Sequence, residues 1–131
     1  MQQEIPKVTE RELEIMELIW QNKEMAAVDI AAHFLKPENG AHFKNTTYTF
    51  IKRLVEKGVI ERREPGFVCV SLYGRDEILI SETKSFIDRV YQGSFNQLFS
   101  EFVENRSLSD RELIELRDLI NKTVKGGDKN A

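Results

Sequence analysis

The chain has 131 residues, 40% of them hydrophobic and 31% charged, with a formal net charge of -3. That is enough apolar material for one ordinary globular domain or two small ones, and too much for a disordered chain. A lone cysteine, Cys69, rules out an internal disulfide. No stretch approaches the roughly 18 apolar residues of a membrane span, and no apolar run near the start resembles a signal peptide.

Charge is unevenly spread. Residues 1–35 hold 3 basic and 7 acidic side chains, residues 36–75 hold 8 and 4, and residues 76–131 hold 8 and 11. A basic middle in an acidic chain is the footprint of a local contact with nucleic acid rather than of nonspecific coating.

In chain order, a loose lead-in over residues 1–8 gives way to a capping box formed by Thr9 and Glu12. Leu13, Met16, Ile19 and Trp20 then make one apolar stripe, predicting a helix over about residues 10–22. A second helix runs from Ala27 to Leu35, ended by Pro37 and Gly40. The third, Asn45 to Gly58, is the centre of the reading. Ile51, Leu54 and Val55, with Thr47 a turn earlier, form its buried stripe, and Gly58 after Lys57 is a favourable helix end. Its other face carries Thr46, Thr49 and Arg53, flanked by Asn45, Tyr48 and Lys52, with Lys44 at its start. Short polar side chains in the first turns can reach base edges, and cations in the later turns can reach phosphates. A solvated surface helix has the same pattern, so the surroundings must decide.

Past Gly58 the periodicity turns to alternation. Val59 and Ile60 lead through Glu61, Arg62, Arg63 and Glu64 to the turn pair Pro65-Gly66, and a β-branched and aromatic run follows from Phe67 to Leu72. Three short helices and a hairpin are the element order of a winged helix-turn-helix, with Arg62 and Arg63 on the wing as phosphate contacts. The expected fold is therefore mostly α with a small β hairpin: a winged-helix DNA-binding domain over residues 1–75 and a three-helix dimerisation domain over residues 76–123.

Within that second part, one helix carries Ile78, Leu79, Phe86, Ile87, Val90 and Tyr91 up to Gly93. A second carries Phe95, Leu98, Phe99, Phe102 and Val103. A third opens on a Ser109–Glu112 capping box and carries Leu113, Leu116, Leu119 and Ile120. So small a unit cannot bury all this apolar surface alone. Phe86, Val90, Phe95, Leu98, Phe99 and Phe102, with the four apolar residues of the third helix, are thus expected to meet a second copy, giving a homodimer matched to two-fold symmetric DNA. Folding of these helices back onto the same chain is the competing arrangement. Residues 124–131 read as a flexible tail.

Residues 8–123 resemble the penicillinase and methicillin-resistance repressor family, the BlaI/MecI type, with the copper-responsive CopY repressors as relatives. The resemblance is carried by VTERELEIMELIW, by the Thr47–Gly58 pattern T-x-x-x-x-x-R-L-x-x-K-G, and by SFIDRVYQGSFNQLFSEFV from Ser85 to Val103. It implies a homodimeric winged-helix repressor that binds double-stranded operator DNA at an inverted repeat before a resistance operon; the lone cysteine and the lack of a signal-like or membrane-spanning run make the cytoplasm its expected location. It also implies that Thr46, Tyr48 and Thr49 read bases, and that proteolysis ends repression at a bond matching Glu101–Phe102, through a membrane metalloprotease sensor or an activity downstream of it. Tyr48 stands where the family often has a longer polar or basic residue, and Glu101 where it usually has asparagine.

No cofactor, metal or catalytic residue is expected. His33 and His42 lack ligand spacing, the paired C-terminal cysteines of the copper-responsive relatives are missing, and Asp110, Glu112 and Glu115 suit a helix N-terminus. Two other functions fit the same elements: a winged-helix module that docks proteins, and a DNA-binding repressor released by a small molecule.

Overall fold

The computed structural model describes residues 4–39 and 44–128; Gly40, His42 and the last three residues lie outside the described residues. It consists of two compact units, divided after Ser85.

In the first unit, α1 (Glu10–Asn22), α2 (Ala27–Leu35) and α3 (Lys44–Lys57) pack around a core that includes Met16, Ile19, Ile30, Ile51 and Leu54, all completely buried. Each such side chain contributes about 1.5–3 kcal/mol. The capping box of α1 is formed as the sequence predicts: Thr9 Oγ1 accepts from Glu12 N at 3.3 Å, and Glu12 Oε1 accepts from Thr9 N at 2.9 Å. Gly58, at φ 78°, passes the chain from α3 to the wing.

The sheet has three strands where a two-stranded hairpin was expected. β1 (Glu24–Ala26), β2 (Ile60–Arg63) and β3 (Val68–Ser71) are ordered β1-β3-β2, both pairings antiparallel. β1 uses the short connection between α1 and α2 to cover the other edge of β3, pairing Met25 with Cys69. Three residues, Glu24 among them exposed, carry no alternation that could announce a strand. Trp20 fastens α1 to this sheet: its Nε1 donates to Ser71 Oγ at 3.0 Å and to the Tyr73 carbonyl at 3.1 Å.

α4 (Arg75–Tyr91) begins inside this unit rather than after it. Ile78 is fully buried, Glu82 Oε1 accepts from Val8 N at 2.8 Å, and Arg75 Nε donates to both carboxylate oxygens of Glu17. The unit therefore extends to Ser85, ten residues beyond the expected boundary.

The second unit comprises the last part of α4, α5 (Phe95–Glu104) and α6 (Asp110–Asp128). Ser94 caps α5 by accepting from Gln97 N, and Ser109 and Glu112 form the expected reciprocal cap of α6. Tyr91 Oη donates to Glu101 Oε2 at 3.0 Å, and the Phe95 and Phe99 rings stack at 6.2 Å. Much apolar surface stays uncovered: Phe86, Val90, Phe95, Phe102, Leu119 and Ile120 are each more than two-fifths exposed. α6 runs to Asp128, so the stretch expected as a tail from residue 124 begins in helix.

Candidate nucleic-acid interface

The interface is built on α3, and the core holds that helix from one side. Thr47, Ile51 and Leu54 are buried at i, i+4, i+7 spacing, which leaves Lys44, Asn45, Thr46, Thr49, Lys52 and Arg53 exposed on the rest of the cylinder. Thr49 Oγ1 donates back to the Asn45 carbonyl at 2.9 Å, an i to i-4 bond that fixes the hydroxyl beside the first turn. Arg53 lies over the Phe50 ring at 5.6 Å, so its stem follows the helix while its charge stays in solvent.

Tyr48 is placed differently from Thr46 and Thr49. Its ring is half-buried against the core and 6.4 Å from the ring of Phe67 at the wing. It joins α3 to the hairpin, and its apolar body is not spread over the polar face.

An ion pair between a buried carboxylate and a partly exposed lysine anchors the far end of α3. Lys57 Nζ donates to Glu12 Oε1 at 2.6 Å and to the Lys7 carbonyl at 3.0 Å, with the Glu12 side chain only 1% exposed. Burial pushes the Glu12 carboxyl up, but hydrogen bonds from Lys57 and Thr9 and the lysine's charge outweigh it and hold the group below its ordinary value of 4.5. Sequence reading found Glu12 as a cap and Lys57 as a dipole partner. Their meeting needed the tertiary fold.

On the wing, Arg63 Nε donates to Glu61 and Arg62 Nε to Glu64, so each arginine is paired with a neighbouring carboxylate. The Arg62 guanidinium also stacks on Phe67, 3.7 Å from the ring centroid. The Arg62 hydrogen bond holds the Glu64 carboxyl below its usual range. Cys69, fully buried across from Arg62, has its thiol pushed up to about 11 by burial, only partly offset by that arginine's charge; it is an inert core thiol. Sequence analysis missed Phe67 and Glu64 as partners of Arg62. Their closeness depends on the strand register, for which the turn residues were the only signal.

No group of metal-ligating side chains occurs among the described residues, and no helix there is long and apolar enough to cross a membrane. With this geometry in view, comparison with known proteins decides the family. Residues 8–122 match the penicillinase repressor model. The chain belongs to the penicillinase repressor family. These are transcriptional repressors that bind DNA, not enzymes.

The methicillin resistance regulatory protein MecI of Staphylococcus aureus strain N315 is 35% identical over 118 residues, covering 88% of this chain and 94% of that one. The penicillinase repressor of Bacillus licheniformis is 30% identical over 118 residues, covering 88% and 91%. Among solved structures, the DNA-binding domain of the repressor BlaI superposes with a TM-score of 0.51 at 22% identity, over 58% of this chain and 93% of that domain. That likeness establishes the winged-helix fold of this penicillinase repressor homologue.

Proposed function

We propose that the protein represses transcription as a homodimer on an inverted-repeat operator, with α3 of each protomer in the major groove of one half-site. The observation that carries this reading is the exposed polar and cationic face of α3, held rigidly by a buried apolar stripe and by the Glu12–Lys57 pair. Asn45, Thr46 and Thr49 meet base edges. Tyr48 adds its hydroxyl, Lys44, Lys52, Arg53 and the wing arginine Arg62 meet phosphates, and Arg63 adds to the positive charge of the wing. The exposed apolar faces of α4, α5 and α6 supply the dimer contact, through Phe86, Val90, Phe95 and Phe102 with Leu119 and Ile120, and through the half-buried Leu98, Phe99, Leu113 and Leu116.

The relatives are named for methicillin resistance and penicillinase. An antibiotic-resistance operon is therefore the proposed target. Release is by cleavage at Glu101–Phe102 in α5, downstream of a membrane metalloprotease sensor. Both residues are exposed, and cutting a helix of the dimer contact removes the two-fold avidity.

A gel-shift titration on DNA from upstream of its own gene, at rising salt, tests the reading. Saturable binding of two protomers is expected, with log K falling by about 0.9 per phosphate contact on a log salt scale. Thr46→Ala should weaken it by roughly tenfold, the loss of a base contact of about 1–3 kcal/mol, and Arg53→Ala should weaken it while lowering the salt slope by about 0.9 for each bound protomer. Binding no tighter than to random duplex would sink the proposal.

A further inference from the structure

Strand periodicity separates the two wing arginines. Successive side chains of β2 point to opposite faces. Ile60 is buried, so Arg62 shares its inward face, opposite the fully buried Cys69, while Glu61 and Arg63 share the outer one. Arg62 and Phe67 line a cavity of about 150 Å³ together with Lys52, Val55 and Glu56 of α3. Only the inward arginine faces the recognition helix.

That arginine is held in place by a closed set of contacts. One Glu64 oxygen accepts from Arg62 Nε, and the other accepts from Phe67 N at 3.1 Å. The Phe67 carbonyl accepts from Ala27 N at 2.9 Å, so both backbone groups of Phe67 are fixed, and its ring sits beneath the guanidinium. Only Nε of Arg62 is used in a hydrogen bond among the described residues. Its terminal NH2 groups remain open, a planar fork of the kind that takes two phosphate oxygens at once. Along α3, Lys52 lies one turn closer than Glu56 to the end bearing Asn45 and Thr46. The cavity is thus cationic toward the DNA-facing end and acidic away from it.

We propose that Phe67, with Glu64, is a positioning residue that presents the Arg62 fork beside Lys52 to one DNA backbone phosphate in each half-site, an inference that rests on the operator-binding reading. Arg63, on the outer face, also bonds a carboxylate through Nε but has no ring beneath its guanidinium among the described residues, so it adds charge without a fixed phosphate.

The test is a double-mutant cycle on the full-length protein with duplex DNA from upstream of its own gene, titrated at several salt concentrations. Arg62→Ala should lower the salt slope by about 0.9 for each bound protomer, and Arg63→Ala by less. Phe67→Leu keeps the arginine's charge but frees it, so binding should weaken about threefold with the slope unchanged, and Phe67→Trp should restore it. In an Arg62→Ala background, Phe67→Leu should have no further effect. Arg62→Lys, at an exposed position that leaves the core alone, gives the same comparison without altering the turn: slope kept, affinity lost.

If the wild type binds its operator tightly but Phe67→Leu costs as much in the Arg62→Ala background as with Arg62 present, or Arg62→Lys matches wild type, the positioning role is overturned and the repressor reading stands. If the wild type itself prefers no operator, both fall.

Discussion

Bonds from Thr9 and Lys57 converge on Glu12, and its protonation ties stability to pH. Its carboxyl is held below 4.5 in the fold, so its contribution is fully present above that value and is lost as pH falls through the lower folded value. Glu12→Gln should therefore lower stability at neutral pH by about 2–3 kcal/mol, the worth of hydrogen bonds to a buried charge. Urea midpoints of the two proteins should converge in acid; a gap that stays constant from pH 7 to pH 3 would disprove the assignment. At this scale the sequence was partly legible. Local partners such as Thr9 with Glu12 and Ser109 with Glu112 follow from spacing alone. Lys57 with Glu12, 45 residues apart, and Phe67 under Arg62 depend on packing that no local pattern encodes.

The helices could be read because their apolar periodicity is long. α1 was expected over residues 10–22 and spans Glu10–Asn22, and α3 starts one residue before the expected Asn45. β1 could not be read, because three residues owe their strand conformation to β3 rather than to themselves. The boundary also differs from the expected residue 75, because α4 joins the first unit: Arg75 bonds Glu17 of α1, Ile78 is buried in the core, and Glu82 accepts from Val8 N just before α1. A fragment ending at residue 74 should consequently be less stable than one ending at Ser85, by at least the ~1.5–3 kcal/mol of one buried isoleucine. Equal urea midpoints for the two fragments would show that α4 adds nothing to the winged helix. α6 outlasts its apolar stripe because extending a formed helix is easy, and Lys125 in its last turn suits the negative end of the dipole.

For the whole molecule, the uncovered side chains of the second unit carry the proposed dimer contact. Phe95 is 62% exposed and Leu119 58%, a large loss for a chain that stayed monomeric. Phe95→Glu with Leu119→Glu is expected to shift sedimentation from dimer to monomer and to weaken operator binding by about 10²-fold or more through lost avidity. Dimeric sedimentation of the double variant would move the interface elsewhere. Periodicity made the helices of both units legible, whereas the proposed pairing depends on a second copy and so on information outside one chain. The shared oxygen at Glu12 has a genetic corollary. Oε1 caps α1 and clamps α3 at the same time, so one missense change at the start of the first helix loosens the last turn of the third. A selection for constitutive expression of the proposed target operon should then return codon 12 alongside codons 46 and 53, and a lesion there would pass for a DNA-contact mutation although its side chain is buried.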